Sequence, residues 1–407
     1  MKRILTLAIA LAAAVAASGC QKDPDQDNPL KTVDLTTRSA EFIQKGNSFS
    51  FNFLEQVNKA SDGDFIISPL SMQILLGMVV NGAKGNTADQ IFNVLGYGKD
   101  ELPAVNEFCK AMMAQLPSLD RKTTLKIANA FVANNTCPIL DTYTANITNY
   151  YSAYVQNLDF SNSQATTDAI NGWCSKNTNG LIPKVLDEVT PDMLAYALNA
   201  LYFKSQWAEQ FKKNLTSEEN FTPEGASARK VNMMKQSADH GYTENDIFQA
   251  VSLKYGNGAY SMVVLLPKAG HKTAEIAKYL KTNDWGKFCS SMYKTKVETW
   301  IPKFETKFHI KLNDILSDMG MSDAFISGMA DFSALSPVTS HLSFVQQDAI
   351  IKVDEEGTEA AAVSVAGWQK NAAMPEGPSF IADHTFLYLI TEASTGAVLF
   401  AGKYGSK

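Results

Sequence analysis

The stretch Glu355–Lys370, EEGTEAAAVSVAGWQK, sets the hardest requirement on any fold for this chain. It places a run of small residues after a charged Gly-Thr-Glu, between two strand-like segments, Ser343–Val353 and Phe380–Thr391. Such residues fill a core poorly, and apolar ones do not suit a solvated loop. Read by twos, Thr358, Ala360, Ala362, Ser364 and Ala366 form one set in which every member is small. The intervening set, Glu359, Ala361, Val363, Val365 and Gly367, carries the only charge of this stretch. A strand alternates its side chains between two faces. The small set is therefore what a strand needs if one face must lie on an already dense layer, where each oversized residue costs roughly 1 to 3 kcal/mol. Gly357 frees the backbone to turn, and no Pro between Glu355 and Lys370 removes a ladder donor. A helix or a plain edge strand remains open at this level.

The rest of the chain supplies both helices and strands. From about Arg38 to Gly96 the apolar positions follow a helical period, through Phe42, Ile43, Phe49, Phe53, Leu54 and Val57, then a second run over Pro69–Val80. Later segments are short and rich in β-branched or aromatic residues: Thr124–Ala133, Leu194–Phe203, Tyr260–Pro267, Thr295–Lys307, Ser343–Val353, Phe380–Thr391 and Ala397–Lys403. Strands this far apart, mixed with helices, predict an α+β arrangement around a large mixed sheet. Hydrophobic content of 45% in a chain of 407 residues is enough for a large core.

The N-terminus sets the location. MKRILTLAIALAAAVAASGC has two basic residues, an apolar run and small residues before Cys20, the pattern of a secretory signal. Ala17-Ser18-Gly19-Cys20 also resembles a bacterial lipobox, which implies residues 1–19 as a lipoprotein signal peptide and Cys20 as the acylated first residue. Ordinary cleavage nearby, leaving a free thiol, is the alternative. Residues 20–37, polar and without periodicity, are expected as a flexible tether. No acidic residue directly follows Cys20, so an outer-membrane or cell-surface position is expected. Losing Lys2 and Arg3 takes the formal charge from -6 to -8, which argues against nucleic acid as a partner.

Candidate chemistry is sparse. Cys109, Cys137, Cys174 and Cys289 are far apart and read as buried or half-buried free thiols. The five histidines, His240, His271, His309, His341 and His384, show no metal-ligand spacing, so no metal and no cofactor is expected. No nucleophile elbow or phosphate loop is present. Gly82-Ala83-Lys84-Gly85-Asn86-Thr87 reads as a turn between helices, with Asn86 or Thr87 as N-cap.

Collinear motifs then carry a resemblance. They begin with FIISPLSMQILLGMVVNGAKGNTADQIFNVLGY at Phe65 and IANAFV at Ile127, and continue with LDF, INGWCSKNTNGLI and KVL within residues 150–186. LNALYFKSQW at Leu198, VNMMKQ at Val231, YSMVVLLP at Tyr260 and WIPKFETKF at Trp300 follow. GMSDAF, ADFSAL, VDEEGTEAAA at Val353, FIADHTFLYLI at Phe380 and TGAVLFAGK complete the series. Over about residues 38–405 the chain resembles the serpin family. The resemblance implies a serpin domain over 38–407, with three β-sheets, eight to nine helices and an exposed reactive-centre loop over about 355–379. It implies no enzyme but an endopeptidase inhibitor, a monomer that traps the acyl-enzyme as its cleaved loop inserts into the main sheet. A non-inhibitory binding protein on the same fold is the alternative.

Residue by residue, the resemblance assigns the loop hinge to Glu355, Gly357, Thr358, Glu359, Ala360, Ala361 and Ala362. Trp207 and Glu355 match the breach, where insertion begins. Ser68, Ser71 and Asn199 match the shutter under the sheet, and Gln347 stands where the family usually has His. An amide both donates and accepts, so a working, pH-insensitive shutter is expected. In the family the hinge Gly usually stands fourteen residues before the scissile carbonyl, so the resemblance implies Asn371 there, with Ala372 after the cut, and a register slip of one gives Lys370. Lys370 suits trypsin-like proteases and Asn371 an asparagine-specific cysteine protease. Trp368 or Met374 would tempt chymotrypsin-like ones, and elastase-like targets are also open.

Overall fold

The computed structural model describes residues 27–358 and 377–406. Its first half alternates helices with a few strands. Helix α1 is Thr37–Ala60, strand β1 Phe65–Ile67, α2 Pro69–Val80, α3 Gly85–Leu95 and α4 Leu102–Gln115. Then come β2 (Thr124–Asn134), α5 (Asp141–Tyr151), β3 (Tyr154–Leu158), α6 (Ser163–Asn177) and β4 (Ala195–Gln206). The second half is mostly strand: β5 (Ser217–Phe221), β6 (Arg229–Glu244), β7 (Phe248–Tyr255), β8 (Tyr260–Pro267), then α7 (Thr273–Thr282) and α8 (Trp285–Ser291). It closes with β9 (Tyr293–Pro302), β10 (Phe304–Lys311), α9 (Asn313–Asp318), β11 (Gln346–Val353), β12 (Gly357–Thr358), β13 (Ser379–Ile381), β14 (Phe386–Glu392) and β15 (Val398–Tyr404). Nine α-helices are thus found among the described residues.

Local chemistry explains the helices that matter for the site. Helix α1 starts at Thr36, whose hydroxyl accepts from the Ser39 N–H at 3.1 Å, and buries the Phe42, Ile43, Phe49, Phe53, Leu54 and Val57 stripe. Helix α2 is apolar on every side, so it can only be stable inside the molecule, where all but one of its residues are buried. Ser68 caps it and Pro69 occupies the first turn. The turn after α2 is as expected, but the N-cap of α3 is Lys84 rather than Asn86 or Thr87. Those two polar side chains are claimed from a distance: Asn86 donates to Asp323 at 2.6 Å, and Thr87 accepts from the Asp331 N–H at 3.0 Å.

The strands pair into a nine-stranded array and a six-stranded sheet of order β10-β11-β12-β4-β2-β3. The resemblance implies three sheets; two of them are continuous here because the long β6 pairs with β5 at one end, β9 along its middle and β7 at the other end. Residues 295–307, expected as one strand, are two. Pro302 lacks a ladder donor, and the chain leaves β9 for the other sheet at Lys303 to become β10. Helix α2 packs beneath β4 and β15, and a satellite cluster of Val132, Phe160, Ile170, Leu186, Val189 and Tyr196 sits under α6. Cys109 and Cys174 are buried, Cys137 and Cys289 half-buried, and all four are free. Burial pushes the Cys109 and Cys174 thiols up to about 12. Cys20 lies outside the described residues, and the expected tether is docked from Asn28 onward.

Candidate functional site

The site is built around a gap in the six-stranded sheet. Gly357 and Thr358 form a two-residue strand between β4 and β11: Thr358 stands opposite Ser205 on one side and Val353 on the other. Beyond that point β4 pairs with β2 and β11 with β10, and no β4–β11 pairing occurs among the described residues. A groove of about 370 Å³ lies between them, lined by Leu75, Met193, Ala197, Asn199, Val345 and Gln347 among others. Every second residue of β11, Val353, Ile351, Ala349 and Gln347, is buried, as are Ser205 and Phe203 at the near end of β4.

The entrance is tightly held. Thr358 is 2% exposed, and its hydroxyl lies 2.6 Å from the Tyr255 hydroxyl. A Cβ at Gly357 would lie 2.1 Å from the Ser205 carbonyl oxygen, so only glycine fits. Trp207 stacks on Tyr255 with ring centroids 4.4 Å apart. Its ring N–H donates to the Asp354 carbonyl at 2.8 Å, and its backbone N–H to that of Glu356 at 2.9 Å. The Glu355 carboxylate accepts from Lys303 Nζ and from the Thr216 hydroxyl, each at 2.9 Å, and Glu356 pairs with Lys213 at 2.6 Å.

Burial alone would raise the Glu355 carboxyl, but the Lys303 ammonium, a backbone N–H and the Thr216 hydroxyl outweigh it and hold it below its ordinary value. A depressed carboxyl stabilises the fold above its unfolded pKa of about 4.3 and loses that contribution as pH falls through the lower folded value. Lys303 is 42% exposed, so solvent limits the pair to about 1 kcal/mol. Glu355→Gln is therefore expected to melt slightly below wild type at neutral pH, with the difference closing below about pH 4 in a pH series of unfolding midpoints.

Lower in the gap is a polar layer. The Gln347 amide pairs with both backbone groups of Ser68: it accepts from the N–H at 2.9 Å and donates to the C=O at 2.9 Å. The Ser68 hydroxyl donates to the Leu399 carbonyl at 2.7 Å and accepts from the Ser71 N–H at 3.2 Å. Ser71 donates to Asn199, whose amide donates to Asn129 at 2.6 Å. The four residues singled out in the sequence are thus joined, in two chains that meet at Ser68 and Ser71. None of the four titrates.

The structure brings Trp207, Glu355, Gly357 and Thr358 together at one end of the gap and Ser68, Ser71, Asn199 and Gln347 lower down. Glu359, Ala360, Ala361, Ala362, Lys370, Asn371 and Ala372 lie outside the described residues. Of the other residues of the site, Tyr255 and Lys213 lie outside the sequence motifs, while Asn129 and Lys303 lie within IANAFV and WIPKFETKF, which do not mark them as site residues. Asn129 carries a faint signal, an asparagine directly across the ladder from Asn199. The pairing of Lys303 with Glu355 carries none, because nothing local ties residues that far apart. Among the described residues no His, Cys, Asp and Glu gather as a metal site.

Comparisons with known proteins point one way. Residues 44–406 match the family model described as Serpin (serine protease inhibitor). Serpin B6 of Macaca fascicularis is 32% identical over 372 residues, covering 89% of this chain and 98% of that protein. An uncharacterized serpin-like protein of Methanosarcina acetivorans is 31% identical, covering 88% of this chain and 86% of its own. The crystal structure of the thermophilic serpin tengpin in the native state superposes with a TM-score of 0.81 at 29% identity, covering 93% of this chain and 97% of that one.

Proposed function

This chain belongs to the serpin family, and from that premise we propose that it is a suicide inhibitor of serine, and also cysteine, endopeptidases. The observation that carries this reading is the unpaired gap between β4 and β11, entered by Thr358 and lined inward by one face of each strand. A protease nucleophile attacks the carbonyl of Lys370 or Asn371, the peptide C–N bond breaks, the new amine leaves, and an acyl-enzyme remains. The freed loop then continues β12 down the gap.

The register supports this step. Continuing the pairing of Thr358 with Ser205 and Val353 puts Ala360 opposite Phe203 and Ile351, Ala362 opposite Leu201 and Ala349, and Ser364 opposite Asn199 and Gln347. The one hydroxyl that follows Thr358 in the small set would thus arrive at the polar layer, and the alanines at apolar positions. About a dozen residues pairing on both sides, at roughly 0.5 to 1.5 kcal/mol per bond, would release on the order of 10 kcal/mol. That is enough to hold an enzyme away from its deacylation geometry.

The test is incubation with trypsin, elastase and an asparagine-specific protease. A complex that survives SDS is expected, together with a C-terminal fragment whose mass assigns the cut to Lys370–Asn371 or Asn371–Ala372. Clean cleavage with no complex would favour a non-inhibitory binding protein instead. The proposed setting is a lipid anchor at Cys20 on the outer membrane or cell surface. Radiolabelled palmitate should then enter the wild type and not Cys20→Ser.

A further inference from the structure

The N-terminal residues 27–34 do not leave the body as a spacer. Asp34 and Gln115 exchange hydrogen bonds, the Asp34 N–H to the amide oxygen at 2.7 Å and the amide N–H to the Asp34 carbonyl at 3.3 Å. Lys31 donates to the Ser118 carbonyl at 3.1 Å, and Val33, itself buried, donates its N–H to the Ser394 hydroxyl at 3.1 Å. Asn28 donates to the Asp120 carboxylate at 2.7 Å and accepts from the Arg121 N–H at 3.0 Å, while Asn257 donates to the Pro29 carbonyl at 3.0 Å. This strap ties the segment leading into β2 to the β7–β8 and β14–β15 turns, which belong to the other sheet.

Asp120, 3% exposed, sits where the strap meets the gap. Its second oxygen accepts from Thr123 at 2.6 Å, and the Thr123 hydroxyl lies 2.6 Å from that of Ser205, the residue opposite Thr358. The same carboxylate packs against Gly256, where a Cβ would lie 1.8 Å from it. Gly256 in turn donates its N–H to the Gln206 carbonyl at 2.9 Å, and Gln206 stands opposite Gly357. Its neighbour Tyr255 holds the Thr358 hydroxyl. One hydrogen-bonded route, through Thr123 and Ser205, and a second that passes through the packing contact of Asp120 with Gly256 therefore run from Asn28 to the pair of residues that begins insertion.

Widening the gap requires β4, with β2 and β3 attached, to shift against β11 and β10. The strap ties the side of the gap that carries β2 and β4, through the segment leading into β2, to turns of the other sheet. We propose that residues 27–34 and Asp120 form a latch that positions the hinge and slows entry of the uncut loop into the sheet, a role resting on the loop-insertion reading above. Asn28 and Asp120 are its positioning residues.

The test compares the uncut full chain with Asn28→Ala and with the isosteric Asp120→Asn. Each is incubated at a temperature where the wild type converts measurably to a form that resists urea and heat, and the conversion rate is read on urea gels. Both variants are expected to convert about tenfold faster, equivalent to about 1.4 kcal/mol in the barrier, while the unconverted chains melt within a few degrees of wild type. Unchanged rates with a lowered melting midpoint would mean that the strap is only a packing element, and the latch would fall. A separate arm cuts the wild-type loop with protease. If that cut brings no heat resistance, loop insertion itself fails and the latch with it; if it does, unchanged variant rates refute the latch alone.

Discussion

Thr358→Arg is expected to turn the protein from an inhibitor into a substrate. Position 358 is the second residue of the loop already inside the sheet, 2% exposed and hydrogen-bonded to Tyr255. An arginine there would need its charge buried without a partner, which costs several kcal/mol. The uncut chain avoids that cost by leaving the arginine outside the gap, so it folds with little loss beyond one hydrogen bond. The cut chain cannot, and insertion slows while deacylation proceeds. At tenfold per 1.4 kcal/mol, the yield of SDS-stable complex should fall by about 100-fold or more, with cleaved chain in its place. A wild-type yield of complex from Thr358→Arg would show that the hinge does not enter the sheet here.

The largest loss of stability is expected from Gln347→Ala. The amide satisfies both the N–H and the C=O of Ser68, all inside the molecule. Truncation leaves the buried Ser68 N–H unpaired, at about 1 to 3 kcal/mol, while the Ser68 C=O loses one donor and keeps the Met72 N–H at 3.1 Å. A midpoint about 2 to 4 °C lower in a thermal unfolding scan follows. Gln347→Glu separates the two bonds. A carboxylate accepts from the Ser68 N–H but faces the Ser68 carbonyl, whereas a protonated carboxyl can donate to it. Its folded pKa is raised, so the stability it contributes is present at low pH and lost as pH rises through that value. A midpoint that does not depend on pH would refute the pairing.

Much of this site is legible in the order of residues alone. The small set from Thr358 to Ala366 signals a strand laid on a dense layer, and Thr358 is indeed turned inward. The apolar run Pro69–Val80 signals a buried helix, and Ser68 its cap. Other features have no local pattern to read. Strand β6 is rich in Lys, Asn, Gln, Ser and Asp, residues of low strand propensity, and only its three partners make it sixteen residues long. The N-cap of α3 departs from expectation because Asn86 and Thr87, though good caps, have side chains drawn to Asp323 and Asp331 instead.

Which segments alternate, which bury all round, and which residues are small enough to lie over a packed layer are all written in the chain. These depend on the period of the backbone, a property of neighbouring residues. That β4 and β11 stand apart, that Gln347 meets Ser68 and Lys303 meets Glu355, and that residues 27–34 reach the hinge follow only from the assembled fold. Ser68 and Gln347 are 279 residues apart in the chain. No local preference encodes such a contact, which forms only when burial of the whole core brings the two together.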